Sequence, residues 1–129
     1  MEKWTEIFEG AIPTDNYQIQ LINGEENGLT IELSGQKQKV VIKFGVVKAV
    51  RMLDEGIVQN NLYSQNEIER LGATGFKNVI YEITDGEFGK QIENISEGMW
   101  DTFVARHYIV ITQNYNIDVI TEWEPEILI

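Results

Sequence analysis

Apolar and polar residues alternate along the first third of the chain with the two-residue period of strands. Tyr17, Ile19 and Leu21 alternate with polar neighbours and Leu29, Ile31 and Leu33 do so again, while Asn23-Gly24 and Asn27-Gly28 between them supply turn chemistry. Gly35-Gln36 suits a two-residue turn, since glycine accepts the positive φ needed at its first central position, and predicts a third strand. Closing the turn there sets Ser34 opposite Lys37, Leu33 opposite Gln38, Glu32 opposite Lys39, Ile31 opposite Val40 and Leu29 opposite Ile42. A slip of one residue would send every side chain to the wrong face, so a hairpin over residues 29–44 is expected.

Elsewhere the periodicity changes. Trp4, Ile7, Phe8 and Ile12 line one face of a short N-terminal helix that would end before Pro13. Residues 45–55 fit two patterns. Val46, Ala49, Val50, Leu53 and Ile57 share a helical face, whereas the β-branched valines suit a strand. A helix would carry Lys48 and Arg51 near its N-terminus and Asp54 and Glu55 near its C-terminus, against the macrodipole, which favours the strand. Ser64-Gln65-Asn66-Glu67 has capping-box spacing and leads through Ile68 and Leu71 to Gly72, a short helix. Val79, Tyr81 and Ile83 predict another strand, after which Thr84-Asp85-Gly86 can turn the chain and cap a helix carrying Phe88, Ile92, Ile95 and Met99, ending near Gly98. A hairpin pairs 107–112 with 117–123 around the polar turn formers of 113–116. Tyr108, Ile109, Val110 and Ile111 leave neither face polar, so this strand is expected at a sheet centre, with helices on one side and sheet or a partner on the other. Pro125 limits further strand growth. Together these elements predict a single α+β domain over residues 1–129, a mainly antiparallel sheet of about six strands with two or three short helices.

Composition narrows the function classes. At 129 residues and 43% hydrophobic content, the chain can bury a core without metal or disulfide support. Cysteine is absent, which removes thiolate metal sites and thiol nucleophiles and fits a reducing compartment. The start, Met1-Glu2-Lys3-Trp4-Thr5-Glu6-Ile7-Phe8, has neither the basic nor the apolar region of a signal peptide, and no run reaches the roughly 18 apolar residues of a membrane span, so a cytoplasmic location is expected. A net charge of -11 opposes attraction to nucleic acid or anionic lipid, so neither is an expected partner. The imbalance is uneven, with nine acids and six bases in residues 1–60 against twelve acids and four bases in 61–129.

Catalytic vocabulary is sparse. No Gly-x-Ser-x-Gly elbow occurs, and the lone histidine, His107, stands at a strand start where a structural role is the default. Asp54-Glu55, Glu82 with Asp85 and Glu87, and the run Glu122-Trp123-Glu124-Pro125-Glu126 group carboxylates, but solvated acidic faces do the same. Asp85-Gly86-Glu87 lacks the alternating oxygen ligands of a calcium loop, and Gly72-Ala73-Thr74-Gly75 lacks the lysine of a phosphate-binding loop, so no metal and no cofactor is expected. One stretch runs against the acidic background: Lys37, Lys39, Lys43, Lys48 and Arg51 occur with no acid between Leu33 and Leu53, and the first three form a basic stripe on the outward face of the hairpin.

The stretch Arg106-His107-Tyr108-Ile109-Val110-Ile111-Thr112, followed by Ile117-Asp118-Val119-Ile120 and Glu124-Pro125-Glu126-Ile127, resembles the end of small uncharacterised bacterial proteins, some of them immunity factors of polymorphic-toxin loci. Phe44-Gly45-Val46-Val47-Lys48-Ala49-Val50-Arg51 carries a weaker echo. The resemblance implies a non-enzymatic protein that covers a basic toxin surface by electrostatic complementarity. The expected partner-binding residues are Asp85, Glu87, Glu122, Trp123, Glu124 and Glu126, with Trp123 either an aromatic anchor or a core residue of its strand, the latter favoured by the alternation. Two rival readings stand beside this one. A small-molecule binding domain would use a pocket near Tyr63, Tyr81, Trp100 and Tyr108, and a hydrolase would work through carboxylates and His107 in a deep cleft.

Overall fold

A computed structural model describes residues 1–54, 63–72 and 79–129. Glu55, Ile57 and the Ala73-Thr74-Gly75 stretch lie outside the described residues. The chain forms two antiparallel sheets. Strands β1 (Lys3–Glu6), β5 (Ala49–Asp54), β6 (Ile80–Thr84), β7 (Arg106–Ile111) and β8 (Tyr115–Thr121) make a five-stranded sheet in the order β1-β6-β7-β8-β5. Strands β2 (Gln18–Gly24), β3 (Gly28–Ser34), β4 (Lys39–Gly45) and β9 (Glu126–Leu128) make a four-stranded sheet in the order β2-β3-β4-β9. Helix α1 (Gln65–Gly72) precedes β6, helix α2 (Glu87–Ile95) follows it, and a single 3₁₀ turn spans Met99–Thr102.

Three layers result. Leu29, Ile31, Leu33, Val40, Ile42 and Phe44 from the smaller sheet pack on Ile80, Tyr108, Val110, Ile117 and Val119 of the larger one. The opposite face of the larger sheet presents Trp4, Tyr81, Ile83 and Ile109 to Tyr63 and Leu71. The strand β7 is therefore covered on both faces, which is why it reads as an almost unbroken apolar run. The smaller sheet is covered on one face only, and so β3 and β4 alternate.

Nine strands form among the described residues, more than the six or so expected: β1 and β9 have no counterpart among the expected strands, and the fold divides into two sheets what was expected as one. The N-terminal helix is replaced by β1, which pairs with β6 from Lys3 opposite Thr84 to Glu6 opposite Tyr81. Trp4 and Ile12 serve different cores, so they never needed to share a helical face. Helix α1 covers the outer edge of β1: the Trp4 N–H donates to Glu67 at 2.7 Å and Arg70 donates to the Trp4 carbonyl at 2.9 Å. That diverts Glu67 from the reciprocal half of the capping box. Only the Ser64 hydroxyl half forms, at 3.5 Å, and the Ser64 N–H donates to Glu2 instead.

The hairpin of β3 and β4 forms with a register two residues from the predicted one. Leu33 faces Val40, Ile31 faces Ile42 and Ser34 faces Lys39. A shift of two preserves every face, so the hydrophobic pattern could not detect it. The Gly35 N–H closes the turn on the Gln38 carbonyl at 2.8 Å, and from outside the hairpin Asp15 accepts from the Lys37 N–H at 3.3 Å. At the other end a bulge between Leu29 and Thr30 brings Gly28 against Gly45, where a β-carbon on Gly28 would lie 2.0 Å from the Gly45 carbonyl carbon. Residues 49–54 are a strand, in agreement with the charge-order argument, and helix α2 stops at Ile95, leaving Ile95 and Met99 exposed. No helix among the described residues is long and apolar enough to cross a membrane.

Candidate functional site

The register of the larger sheet gathers several chemistry-bearing residues at one end. Ile83 faces His107, His107 faces Ile120 and Arg106 faces Thr121, so the end of β6, the start of β7 and the end of β8 are level. Asp85 and Glu87 leave from the first of these ends and Glu122, Trp123 and Glu124 from the last. Lys48, just before β5, reaches Glu122 at 3.7 Å and lies over the Phe103 ring.

Just inside that end, on the helix-bearing face, is a buried polar cluster. Asp118 is fully buried and directly opposite Arg51 in the β5–β8 ladder. One carboxylate oxygen, Oδ2, accepts from the Arg51 guanidinium at 2.8 and 3.1 Å and from the Tyr63 hydroxyl at 2.7 Å. The other, Oδ1, lies 2.7 Å from Nε2 of His107, which is only 7% exposed. Arg51 also stacks 4.5 Å from the Phe88 ring centre, so α2 lids the cluster. Burial pushes the Tyr63 hydroxyl upward and Asp118 adds to it, keeping the phenol protonated as a donor. Burial works against the Arg51 charge, but Asp118 more than offsets it and holds the guanidinium above its ordinary value.

Because Asp118 accepts from a guanidinium and a phenol, it is the carboxylate that receives the Nε2–H of His107. In the neutral imidazole Nδ1 is then a lone pair, and this buried atom has no partner. It faces the first turn of α2. A β-carbon on Gly86 would lie 3.1 Å from Nδ1 and one on Gly89 3.8 Å from it. Above is a cleft of about 290 Å³ bounded by Ile83, Gly86, Gly89, Trp100, Arg106 and His107. Four of the charges on its wall are paired: Glu82 with Arg106 at 2.9 Å, and Asp85 with Lys90 at 3.4 Å and also with the Met1 ammonium. These two cations hold the Asp85 carboxyl below the usual carboxylate range.

The expected site residues separate in the fold. Asp85, Glu87, Glu122, Trp123 and Glu124 share the sheet end, whereas Glu126 belongs to β9 and faces Lys43 in the other sheet. Trp123 lies beyond β8 and is 61% exposed, which overturns the reading of it as a core residue. Lys37, Lys39 and Lys43 are exposed as expected, with Lys39 paired to Glu32 at 3.6 Å. The pocket sketched near Tyr63, Tyr81, Trp100 and Tyr108 does not form as one site, since Tyr108 packs on the inter-sheet face and Tyr63 and Tyr81 on the helix-bearing one. No group of three metal-ligating side chains occurs among the described residues.

Sequence reasoning passed over Asp118, although a signal was present. It is the single charged residue within Ile117-Asp118-Val119-Ile120, and alternation sets it on the same face as Ile120. A lone acid in a two-faced apolar strand must find a buried cation or donor. No protein-family model, curated protein or solved structure matches this chain.

Proposed function

We propose that this chain is a protein-binding domain that presents the acidic end of its larger sheet to a basic partner surface, in the manner of an immunity-type inhibitor. The observation that carries the reading is Trp123, an indole 61% exposed between Glu122 and an exposed Glu124. A large aromatic left in water beside charge is the composition of an interface hot spot, where the ring supplies buried area and the charges steer encounter. Glu87 adds to the field from the N-terminus of α2. Asp85 and Glu126 contribute less, since Asp85 is held by two cations and Glu126 faces Lys43. The net charge of -11 extends the attraction beyond the contact itself.

The test is twofold: whether a neighbouring gene encodes a basic toxin domain and, where it does, binding to that domain followed kinetically at two salt concentrations. Trp123→Ala is expected to weaken affinity by about 30-fold or more, through dissociation. Glu122→Gln with Glu124→Gln is expected to slow association several-fold at low salt and hardly at all at high salt. Unchanged affinity and association rate in both variants would sink the proposal.

A further inference from the structure

We propose that the first turn of α2 and the imidazole edge of His107 together hold a small oxyanion, a phosphate or carboxylate group, bound through a proton shared with the ring nitrogen. Two independent observations meet at this point. Helix α2 begins at Gly86, which provides no side-chain cap, so the backbone N–H groups of its first turn lack a side-chain acceptor at the positive end of the helix dipole, and Gly86 and Gly89 of that turn line the cleft. Facing that turn is Nδ1 of His107, on a side chain more than nine-tenths buried and without a hydrogen-bond partner. A buried polar atom left unsatisfied costs free energy that a ligand can recover.

The two glycines shape the seat. At position 86 a β-carbon would lie 2.7 Å from Ile83 Cγ2, so the backbone there comes too close for a side chain. At position 89 it would lie in ordinary contact, 3.8 Å from Nδ1 and 3.9 Å from Trp100 Cη2. A methyl-sized space thus exists between the helix, the imidazole and the indole. Bare backbone without a cap lets the turn shift a little to admit an oxygen atom at low cost. Arg106 and Lys90 stand at the wall, where Glu82 and Asp85 are already neutralised and Glu93 is the remaining acid among the described residues. In a chain of net charge -11, this cleft is close to locally neutral before the helix dipole is counted.

Proton balance follows from the cluster. Asp118 holds the Nε2–H, Arg51 and Tyr63 hold the other carboxylate oxygen, and Phe88 closes the ring face. The Nδ1 lone pair would repel a deprotonated oxygen. A proton between the two resolves this: monohydrogen phosphate can donate the O–H it already carries, with no proton taken up, whereas a carboxylate needs one from solvent, on Nδ1 or on the carboxyl. With a carboxylate the complex therefore contains one proton more than the separate anion and neutral imidazole.

His107 is the single histidine, so its ring nitrogen signals report on this site alone. Titration of the isotope-labelled chain with inorganic phosphate, and separately with acetate, at constant ionic strength in chloride, is expected to give saturable shifts at Nδ1 and at the Gly86 and Gly89 amides. A response to one anion and not the other identifies the group the seat prefers. Calorimetry at about pH 8 in two buffers of different ionisation enthalpy is expected to show proton uptake when acetate binds, and less with phosphate, whose own O–H can serve. Gly89→Ala should fill the space while favouring the helix, and should weaken binding at least tenfold with the fold intact. No saturable response to either anion, acetate binding without proton uptake, or an equal response in folded Gly89→Ala would overturn the proposal.

Discussion

The two faces of the five-stranded sheet are made by the same strands and bury different chemistry. Toward the four-stranded sheet, Tyr108, Val110, Ile117 and Val119 meet Leu29, Ile31, Leu33 and Ile42, and the Tyr108 hydroxyl sealed there has no hydrogen-bond partner. Toward the helices, the sheet encloses Asp118, Arg51, His107 and Tyr63, joined through one carboxylate. The apolar interface is stabilised by area and close packing, so each methyl contributes a little and none is decisive. The polar one is stabilised only as a whole, because each charge removed from water depends on its partner. Apolar packing occurs on both faces, but the paired charges and the unengaged ring nitrogen lie on the second.

Substitution should separate the faces. Asp118→Ala should have the largest effect, about 3–5 kcal/mol of lost stability by urea denaturation, since it strands Arg51 and His107. Combining Arg51→Met with Asp118→Leu should cost much less than Asp118→Ala; an equal cost would mean that packing, not charge, dominates this face. On the other face Ile31→Val should cost about 0.5–1.5 kcal/mol, the loss of one methylene from a tight core. Tyr108→Phe should be the smallest, neutral to about 1 kcal/mol stabilising, because it deletes an unsatisfied hydroxyl. A loss above about 1 kcal/mol there would reveal a partner for that oxygen.

Alkaline pH sharpens the last point. Burial, followed by the charge of Glu82, pushes the Tyr108 phenol from 10.0 up to about 12. A group whose folded value is raised contributes its full stability below its unfolded value and loses it as pH climbs through the folded one. The urea midpoint should fall between about pH 10 and 12, and fall less in Tyr108→Phe. An identical decline in both proteins would assign the effect to Tyr63, whose phenol burial and Asp118 also push upward.

Much of the fold is legible in residue order, and the candidate site much less so. The alternation of Leu29, Ile31 and Leu33, the Ser64 start of α1 and the turn formers at 113–116 are local signals, and the corresponding elements form. Trp4 misled because four apolar positions at helical spacing do not reveal that they belong to two cores. Trp123 misled because strand alternation was extended past Thr121, where β8 ends. The Asp118 cluster draws on residues 51, 63, 107 and 118, and no local spacing announces a contact between residues 67 apart such as Arg51 and Asp118.

By itself the sequence determined most of the strands, the starts of α1 and α2 and the acidic, cysteine-free character of the chain, because periodicity, turn chemistry and charge act over a few residues. Tertiary structure decided the rest: the two-residue shift between β3 and β4, the division into two sheets, the burial of Asp118 and the exposure of Trp123. A shift of two leaves each side chain on its own face, and a buried charge is satisfied only by partners from distant strands. Both outcomes therefore depend on contacts that form once the layers have stacked.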